Sequence, residues 1–138
     1  KKNKGFLPVI SNMPKDQHSV MQLYLDGPKK NFFTFFSFKD NSSHKINSDF
    51  LLNENKCLKN KSISEIKFYQ KIATQNVFKK RDIPYRSFDI TKRNEKTLGE
   101  LFIFFILETI LLANALGVNP YDQPSVELIK KETKKQFN

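Results

Sequence analysis

Few residues in this 138-residue chain have side chains that could do chemistry, and His18 is the most informative of them. It follows Asp16 at the predicted start of a helix, where the positive end of the helix dipole favours a neutral imidazole that exchanges protons near neutral pH. His44 lies among polar loop residues, and no partner base stands beside the single cysteine, Cys57. We interpret His44 as a solvated surface histidine and Cys57 as an inert free thiol. For His18, position alone leaves two interpretations open, a capping or surface histidine and an acid–base catalyst.

A second set of polar side chains lies near the C-terminal end of the chain. Gln123 and Lys130 are seven residues apart, or two helical turns, so a helix would place them on one face. Asp122 and Gln123 come at the predicted helix N-terminus, where backbone N–H groups attract anions. Such a face could bind a small anionic molecule, and a solvated lysine-rich helix is the other interpretation. The sequence has no glycine-rich phosphate loop, GxSxG elbow, HExxH motif or EF-hand loop.

Composition and net charge indicate a folded protein without internal disulfides, a metal site or a nucleic-acid partner. The length suits one domain, and 14 Phe residues argue for a folded core. One cysteine cannot form an internal disulfide, and no His/Cys cluster indicates a metal site. The net charge of +10 suggests nucleic acid, but only three of the 24 basic residues are Arg and the Lys are scattered, so we predict no nucleic-acid partner. No apolar signal segment follows Lys1, which favours a cytoplasmic location.

The periodicity of apolar residues predicts strands that alternate with helices. The predicted strands are 5–10, 31–38 and 83–91. The predicted helices are 16–26 with Asp16 as N-cap, 62–80 with a Ser62–Glu65 capping box, 97–117 with a Thr97–Glu100 capping box and a left-handed Gly117, and a terminal helix with Asp122 as N-cap. A polar surface excursion is predicted at 39–61. The fold class is therefore α/β, a three-layer sandwich with a mainly parallel sheet, present as an incomplete portion.

The same patterns predict which faces are buried. In the first helix the predicted apolar face is Val20, Leu23 and Tyr24, and in the second it is Ile63, Ile66, Tyr69, Ala73 and Val77. Strand 31–38 is aromatic on both faces, which is typical of a strand between two helical layers. The run 101–107 is apolar all round, but Glu108 and Asn114 follow it, so a fully buried central helix is favoured over a membrane span.

Two stretches together carry a family resemblance. They are "PKDQHSVMQLYLDGP" at 14–28 and "YDQPSVELIK" at 121–130. The first contains a Gln-His turn, and the second an Asp-Gln followed by Val-Glu-Leu-x-Lys. In order and spacing they resemble the C-terminal part of the glucose-6-phosphate isomerase family. The resemblance implies that 1–138 form the C-terminal part of a sugar isomerase (SIS) domain. It also implies a homodimer that uses no metal or organic cofactor, and no membrane association.

The resemblance further implies the reversible conversion of glucose 6-phosphate to fructose 6-phosphate. An aldose ring must open first, which needs a proton donor at the ring oxygen, and an enediol then forms whose charge a nearby cation stabilises. By the family pattern His18 is the acid/base at the ring oxygen and reaches the site from the neighbouring subunit. Lys130 assists ring opening and stabilises charge, and Gln123 lies close to the phosphate.

One part of the family pattern is missing from the sequence. In the family, the carboxylate base and the Ser/Thr-rich phosphate loop lie farther upstream than the 17 residues that precede His18. We therefore expect the 138-residue chain alone to be inactive. A non-catalytic sugar-phosphate-binding SIS domain is the alternative function.

Overall fold

The computed structural model describes residues 5, 7–38, 44–46 and 53–137. The chain divides into two compact units, one of residues 9–94 and one of residues 1–8 with 95–138. Each unit is described by itself below.

The unit 9–94 contains a parallel pair of strands joined by a crossover helix. Its elements are α1 (Lys15–Ser19), α2 (Met21–Asp26), β1 (Phe33–Phe38), a 3-10 helix (Asn53–Leu58), α3 (Ile63–Lys80) and β2 (Tyr85–Ile90). β1 pairs with β2 in parallel, with Phe33 opposite Tyr85 and Phe38 opposite Ile90. The predicted strands 31–38 and 83–91 and the α/β class with a parallel sheet are thereby confirmed.

The start of α3 agrees closely with the sequence prediction. Ser62 is the N-cap, and its hydroxyl accepts a hydrogen bond from the Glu65 backbone N–H at 3.1 Å. The Glu65 carboxylate accepts from the Ser62 backbone N–H at 2.7 Å. This reciprocal pair is the predicted capping box, and it satisfies two N–H groups that the first turn of a helix leaves without partners.

Phe78 of α3 is the centre of the core, with 1% of its surface exposed. Its ring lies 4.8 Å from that of Phe33 and 5.5 Å from that of Phe35, in edge-to-face geometry. Met21 and Ile83 are buried in the same cluster. The helix therefore packs on the face of the sheet that carries the odd-numbered residues of β1.

The predicted apolar faces of the helices are wrong in part. Val77 and Tyr69 are exposed, and the buried residues of α3 are Thr74 and Phe78. In α2, Met21 is buried whereas Leu23 is exposed. Adjacent helical residues point about 100° apart, so a one-residue error in choosing between apolar neighbours moves the predicted face off the sheet.

The expectation that β1 is buried on both faces is also wrong for the described residues. Phe36 and Phe38, on the face away from α3, are 50% and 53% exposed. Phe36 stacks on Phe88 of β2 at 5.4 Å, and the Arg86 guanidinium lies 5.3 Å from the Phe88 ring. Helices α2 and α3 cover one face only, so contacts between neighbouring strands and a cation over an aromatic ring shield the other in part.

The first residues of the unit differ from their prediction. Residues 7–10 form no strand, which fits Pro8, because proline cannot donate a hydrogen bond to a sheet. The predicted helix 16–26 is divided at Val20 into α1 and α2. Asp16 is not the N-cap, because Pro14 takes that position. The Asp16 carboxylate instead accepts a hydrogen bond from the Asn12 backbone N–H at 2.6 Å.

Part of the predicted excursion at 39–61 lies outside the described residues, namely 39–43 and 47–52. In the part that is described, Lys45 forms an isolated antiparallel bridge with Ser62, and Asn53–Leu58 form the 3-10 helix. The described residues of this segment are therefore partly ordered by local hydrogen bonds.

The second unit contains α4 (Glu95–Ala115) and α5 (Pro124–Lys135). Thr97 lies inside α4 and not at its N-cap, so the predicted Thr97–Glu100 capping box is wrong. The end of α4 is as predicted, since Gly117 has φ of +64°. The N–H of Val118 donates to the Ala113 carbonyl at 2.9 Å and that of Gly117 to the Asn114 carbonyl at 3.0 Å, which is a Schellman motif.

The prediction that α4 is fully buried is wrong for the described residues. Ala113 is its one buried residue there, and most of its large apolar side chains are exposed: Leu98, Phe102, Ile103, Phe104, Ile106, Leu107, Leu111 and Leu112. By length and composition α4 also meets the requirements of a membrane-spanning helix, although a core helix of a soluble protein meets the same requirements. An apolar sequence predicts burial only where neighbouring chain covers it.

The N-terminus of α5 differs by one residue from its prediction. Gln123 is the N-cap and Pro124 the first helical residue, so the assignment of Asp122 as N-cap is wrong. Proline suits that position because the first turn needs no donor from it.

The packing of Phe78 predicts a large stability difference between two phenylalanines of α3. We expect Phe78→Ala to lower the free energy of unfolding by about 3–5 kcal/mol, because it leaves a cavity between the helix and the sheet. Phe68→Ala is the matched control, since Phe68 is 54% exposed, and it should cost far less. Urea unfolding followed by circular dichroism measures both, and equal losses would contradict the assigned core.

Candidate functional site

His18 lies in the last turn of α1, and its side chain is exposed. The prediction that His18 lies at the positive end of a helix dipole is wrong, because α1 spans only Lys15–Ser19 and ends one residue after His18. The aligned peptide dipoles of so short a helix do not add up to a developed macrodipole. The accessible position of the imidazole is what remains available for chemistry.

The helix that carries His18 is attached to the rest of its unit by side chains. The Gln17 amide Nε2 donates to the Thr74 hydroxyl of α3 at 3.1 Å. The Ser11 and Tyr24 hydroxyls share a hydrogen bond of 2.6 Å. At the end of α2, Asp26 forms an ion pair with Arg81, which follows α3. The first and third contacts tie the segment 11–26 to α3 and its C-cap, and the second holds the two ends of the segment together, so His18 is placed relative to α3.

A charged cluster lies where the two strands end. Ser37 and Asp89 are opposite each other in the register, and the Ser37 hydroxyl donates to Asp89 Oδ1 at 2.5 Å. Lys71 of α3 forms an ion pair with the same carboxylate and donates to the Ser37 oxygen at 2.9 Å. The hydrogen bond from Lys71, and then that from Ser37, lowers the pKa of Asp89 below its ordinary value of 3.8. We call these three residues the strand-end cluster.

The strand-end cluster lines an open cleft of about 950 Å³. Lys45, Lys67 and Arg93 lie along the same cleft. Parallel sheets commonly bind ligands at the carboxyl ends of their strands, so the location is typical of a ligand site. The chemistry is less favourable, because the Lys71 ammonium is already neutralised by Asp89. A carboxylate with a lowered pKa is also a weak general base near neutral pH.

The terminal helix holds the other two predicted site residues. Lys130 forms an ion pair with Glu127 at 2.7 Å, and both side chains are exposed. Gln123 is the N-cap and has φ of −133° and ψ of 65°, outside the helical region. The helical repeat alone therefore does not set the direction of its side chain, as the prediction of a shared face with Lys130 assumed.

The three predicted site residues divide between the two units. His18 belongs to 9–94, and Gln123 and Lys130 belong to the unit with 95–138. Their roles therefore stay predictions. Within the described ranges, no group of three or more His, Cys, Asp or Glu side chains could hold a metal ion.

Comparison with known proteins gives a consistent result. No protein-family profile matches the chain. It is 34% identical over 128 residues to a probable glucose-6-phosphate isomerase of Methanococcus maripaludis, a match that covers 92% of this chain and 28% of the relative. It is 31% identical over 138 residues to glucose-6-phosphate isomerase of Campylobacter jejuni, covering 99% of this chain and 34% of the relative. For glucose-6-phosphate isomerase of Mesomycoplasma hyopneumoniae strain J, identity is 36% over 139 residues, covering 97% of this chain and 32% of the relative.

The chain belongs to the glucose-6-phosphate isomerase family. It spans about a third of the length of the curated relatives it matches. Among solved structures, a hypothetical protein of Thermus thermophilus superposes with a TM-score of 0.78 at 24% identity, over 91% of this chain and 30% of that one. That likeness supports the α/β fold.

Two groups of residues in this isomerase-family chain escaped the sequence analysis. Gln17 and Thr74 are distant in sequence, and no local pattern joins them. Ser37 and Asp89 could have been found, since each lies near the end of a predicted strand and parallel strands bring such ends together. Lys71 could not have been found from the sequence, because the direction of its side chain depends on which face of α3 packs against the sheet.

The strand-end cluster predicts a measurable titration. We expect the pKa of Asp89, followed by NMR, to lie below 3.8, and Lys71→Met to raise it towards that value. Because the folded-state pKa is the lower one, the stabilising effect of the ionised carboxylate is full above pH 3.8 and is lost as the pH falls through the folded-state pKa. Lys67→Met is the matched control, since Lys67 lines the same cleft without pairing with Asp89. An equal rise in both variants would contradict the assigned pair.

Proposed function

We propose that this chain supplies the ring-opening residues of a glucose-6-phosphate isomerase, as the C-terminal part of its SIS domain. The proposed reaction is the reversible conversion of glucose 6-phosphate to fructose 6-phosphate. The observation that carries the proposal is identity of 31–36% to proteins of that name over nearly the whole chain.

In the proposed mechanism His18 is the acid/base at the ring oxygen of the sugar. Its imidazole is exposed, so a substrate can approach it, and a histidine ring nitrogen can both donate and accept a proton. The helix that bears it is attached to α3 through Gln17, which restricts where the ring can lie. An accessible but anchored imidazole is what proton transfer to a bound sugar requires.

Lys130 and Gln123 have the complementary roles. The Lys130 ammonium stabilises negative charge that develops on the sugar oxygens as the enediol forms. Lys130 pairs with Glu127 at 2.7 Å, but both side chains are exposed, so this ion pair is weak and leaves the ammonium available to a substrate, unlike the largely buried Lys71. Gln123 is the N-cap of α5, and its side-chain amide can donate a hydrogen bond to a phosphate oxygen. The backbone contributes little there, because Pro124 has no N–H and the N–H groups of Val126 and Glu127 already donate to the Gln123 carbonyl.

The proposal includes the setting of the protein. It is a homodimer in which the exposed His18 serves the site of the neighbouring subunit, and it acts in the cytoplasm without membrane or nucleic-acid partners. The free, exposed thiol of Cys57 is compatible with a reducing compartment. No metal or organic cofactor takes part in the proposed reaction, which needs only proton transfers.

A chimera tests the assignment. In it, the 138 residues of this chain replace the matching third of the Campylobacter jejuni protein. We expect isomerase activity in a coupled assay, a fall in kcat of about 10²–10⁴-fold for His18→Ala, and a fall of about 10²-fold for Lys130→Met. His44→Ala is the matched control, since His44 is equally exposed, and it should leave kcat unchanged. A chimera that binds sugar phosphate but shows no turnover would favour a non-catalytic binding domain.

The isolated chain should behave differently from the chimera. We expect the purified 138-residue chain to show no isomerase turnover, because the family's carboxylate base and phosphate loop are not among its residues. Asp89 does not replace that base, since its lowered pKa keeps it from accepting protons near neutral pH. Turnover above the background of a His18→Ala variant in the same assay would overturn this expectation.

A further inference from the structure

We propose that Gln17 and Thr74 are positioning residues that set the direction of the His18 imidazole. This inference rests on the proposed function of His18. It begins from the length of α1, which has five residues. Isolated helices shorter than about 12 residues are marginal in water, so the orientation of α1 must come from contacts with other elements.

The hydrogen bond between Gln17 and Thr74 has a defined direction. The Thr74 hydroxyl donates its single proton to the Gln70 carbonyl at 2.8 Å. Its oxygen can therefore only accept at the other contact, and the Gln17 Nε2 group donates to it at 3.1 Å. A carboxylate at position 17 could not make this bond, because it has no proton to donate.

Burial makes this bond harder to replace by water. Thr74 is 8% exposed, and its partner Gln17 is half-buried. A buried oxygen that loses its donor has no easy substitute, so the Gln17 amide is held in place. Among the described contacts, this is the side-chain hydrogen bond that joins α1 to α3.

The bond sets the rotation of α1 about its own axis. Neighbouring helical residues point about 100° apart, so once Gln17 is directed at α3 the next side chain, His18, is turned away from it. The exposure agrees, since Gln17 is half-buried and His18 exposed. The other contacts do not join α1 to α3: Asp16 of α1 accepts from the Asn12 N–H just before the helix, and Met21, which is in the core, belongs to α2 beyond the break at Val20.

The catalytic consequence follows from geometry. A general acid must lie within hydrogen-bond reach of the atom it protonates. A displacement of about 1 Å in a catalytic group can cost about 10²-fold in rate. Loss of the Gln17–Thr74 bond should therefore lower the rate of ring opening while the phosphate end of the substrate still binds.

The test uses the full-length chimera and two variants, Thr74→Val and Gln17→Glu. We expect each to lower kcat by about tenfold or more with KM little changed, and Thr74→Ser, which keeps the hydroxyl, to restore most of the activity. Ring opening is followed separately by exchange NMR of the two sugar anomers, which interconvert whenever the ring opens and closes. Anomer exchange should fall in parallel with kcat while the melting temperature stays close to that of the unmodified chimera. The unchanged melting temperature separates a misplaced His18 from a loss of folded protein, which would also lower both rates.

Thr109→Val is the matched control. The Thr109 hydroxyl also donates to the carbonyl four residues earlier, that of Phe105 at 2.7 Å, but it is exposed and lies on α4. The Thr109→Val variant should therefore have the same kcat and the same rate of anomer exchange as the unmodified chimera. If Thr74→Val fails to fold, the Gln17→Glu variant tests the inference by itself. The Gln17 side chain lies nearer the surface, so its substitution disturbs folding less.

The outcomes separate this inference from the proposed function. If His18→Ala leaves anomer exchange unchanged, the proposed role of His18 is wrong. If His18→Ala abolishes it while both Thr74→Val and Gln17→Glu match the unmodified chimera, the positioning inference is overturned and the proposed function stands. Equal losses from Thr74→Ser and Thr74→Val, or from Thr109→Val, would also overturn the inference.

Discussion

The packing of one phenylalanine ring determines most of the unit 9–94. Phe78 lies on the crossover helix and contacts Phe33 and Phe35 of the first strand and Tyr85 of the second. It therefore holds the two strands under one helix and fixes which side of α3 meets the sheet. Once that side is fixed, Lys71 and Thr74 follow from the helical repeat, because they lie seven and four residues before Phe78. The strand-end cluster and the attachment of α1 both depend on this single contact.

The features that could be predicted from the sequence are those whose partners lie within a few residues. The Ser62–Glu65 capping box and the left-handed Gly117 are of this kind, and both are present. Strands β1 and β2 were found from their composition and alternation, and their bounds agree to within two residues, whereas the predicted strand 5–10 has no counterpart in the described residues 7–10. The buried side of α3 was not found, since Val77 and Phe78 are both apolar and adjacent. Which of them meets the sheet depends on the size of the ring and on strands distant in sequence.

The candidate site shows a similar division. His18, Gln123 and Lys130 were found through the family resemblance, because isolated polar residues on short helices carry little local signal. The contact that holds His18 in place joins Gln17 and Thr74. These residues are 57 positions apart, so their contact could be found only from the folded structure. The sequence of α4 predicts burial, but most of its large apolar side chains are exposed, because burial depends on neighbours that a local sequence pattern does not reveal. The relatives are about three times as long as this chain.

The parallel register has a consequence for how chain length can vary. Phe33 lies opposite Tyr85, so the strands meet only after a long stretch of chain has closed into a loop. The entropy lost on closing a flexible loop grows slowly, by about 0.6 kcal/mol for each doubling of its length. Insertions or deletions between Phe38 and Ser62 therefore cost little, provided that the capping box at Ser62 still starts the helix. A change of length in that connection leaves the strand register and the anchor of His18 the same, because neither the pairing of Phe33 with Tyr85 nor the Gln17–Thr74 bond involves its residues.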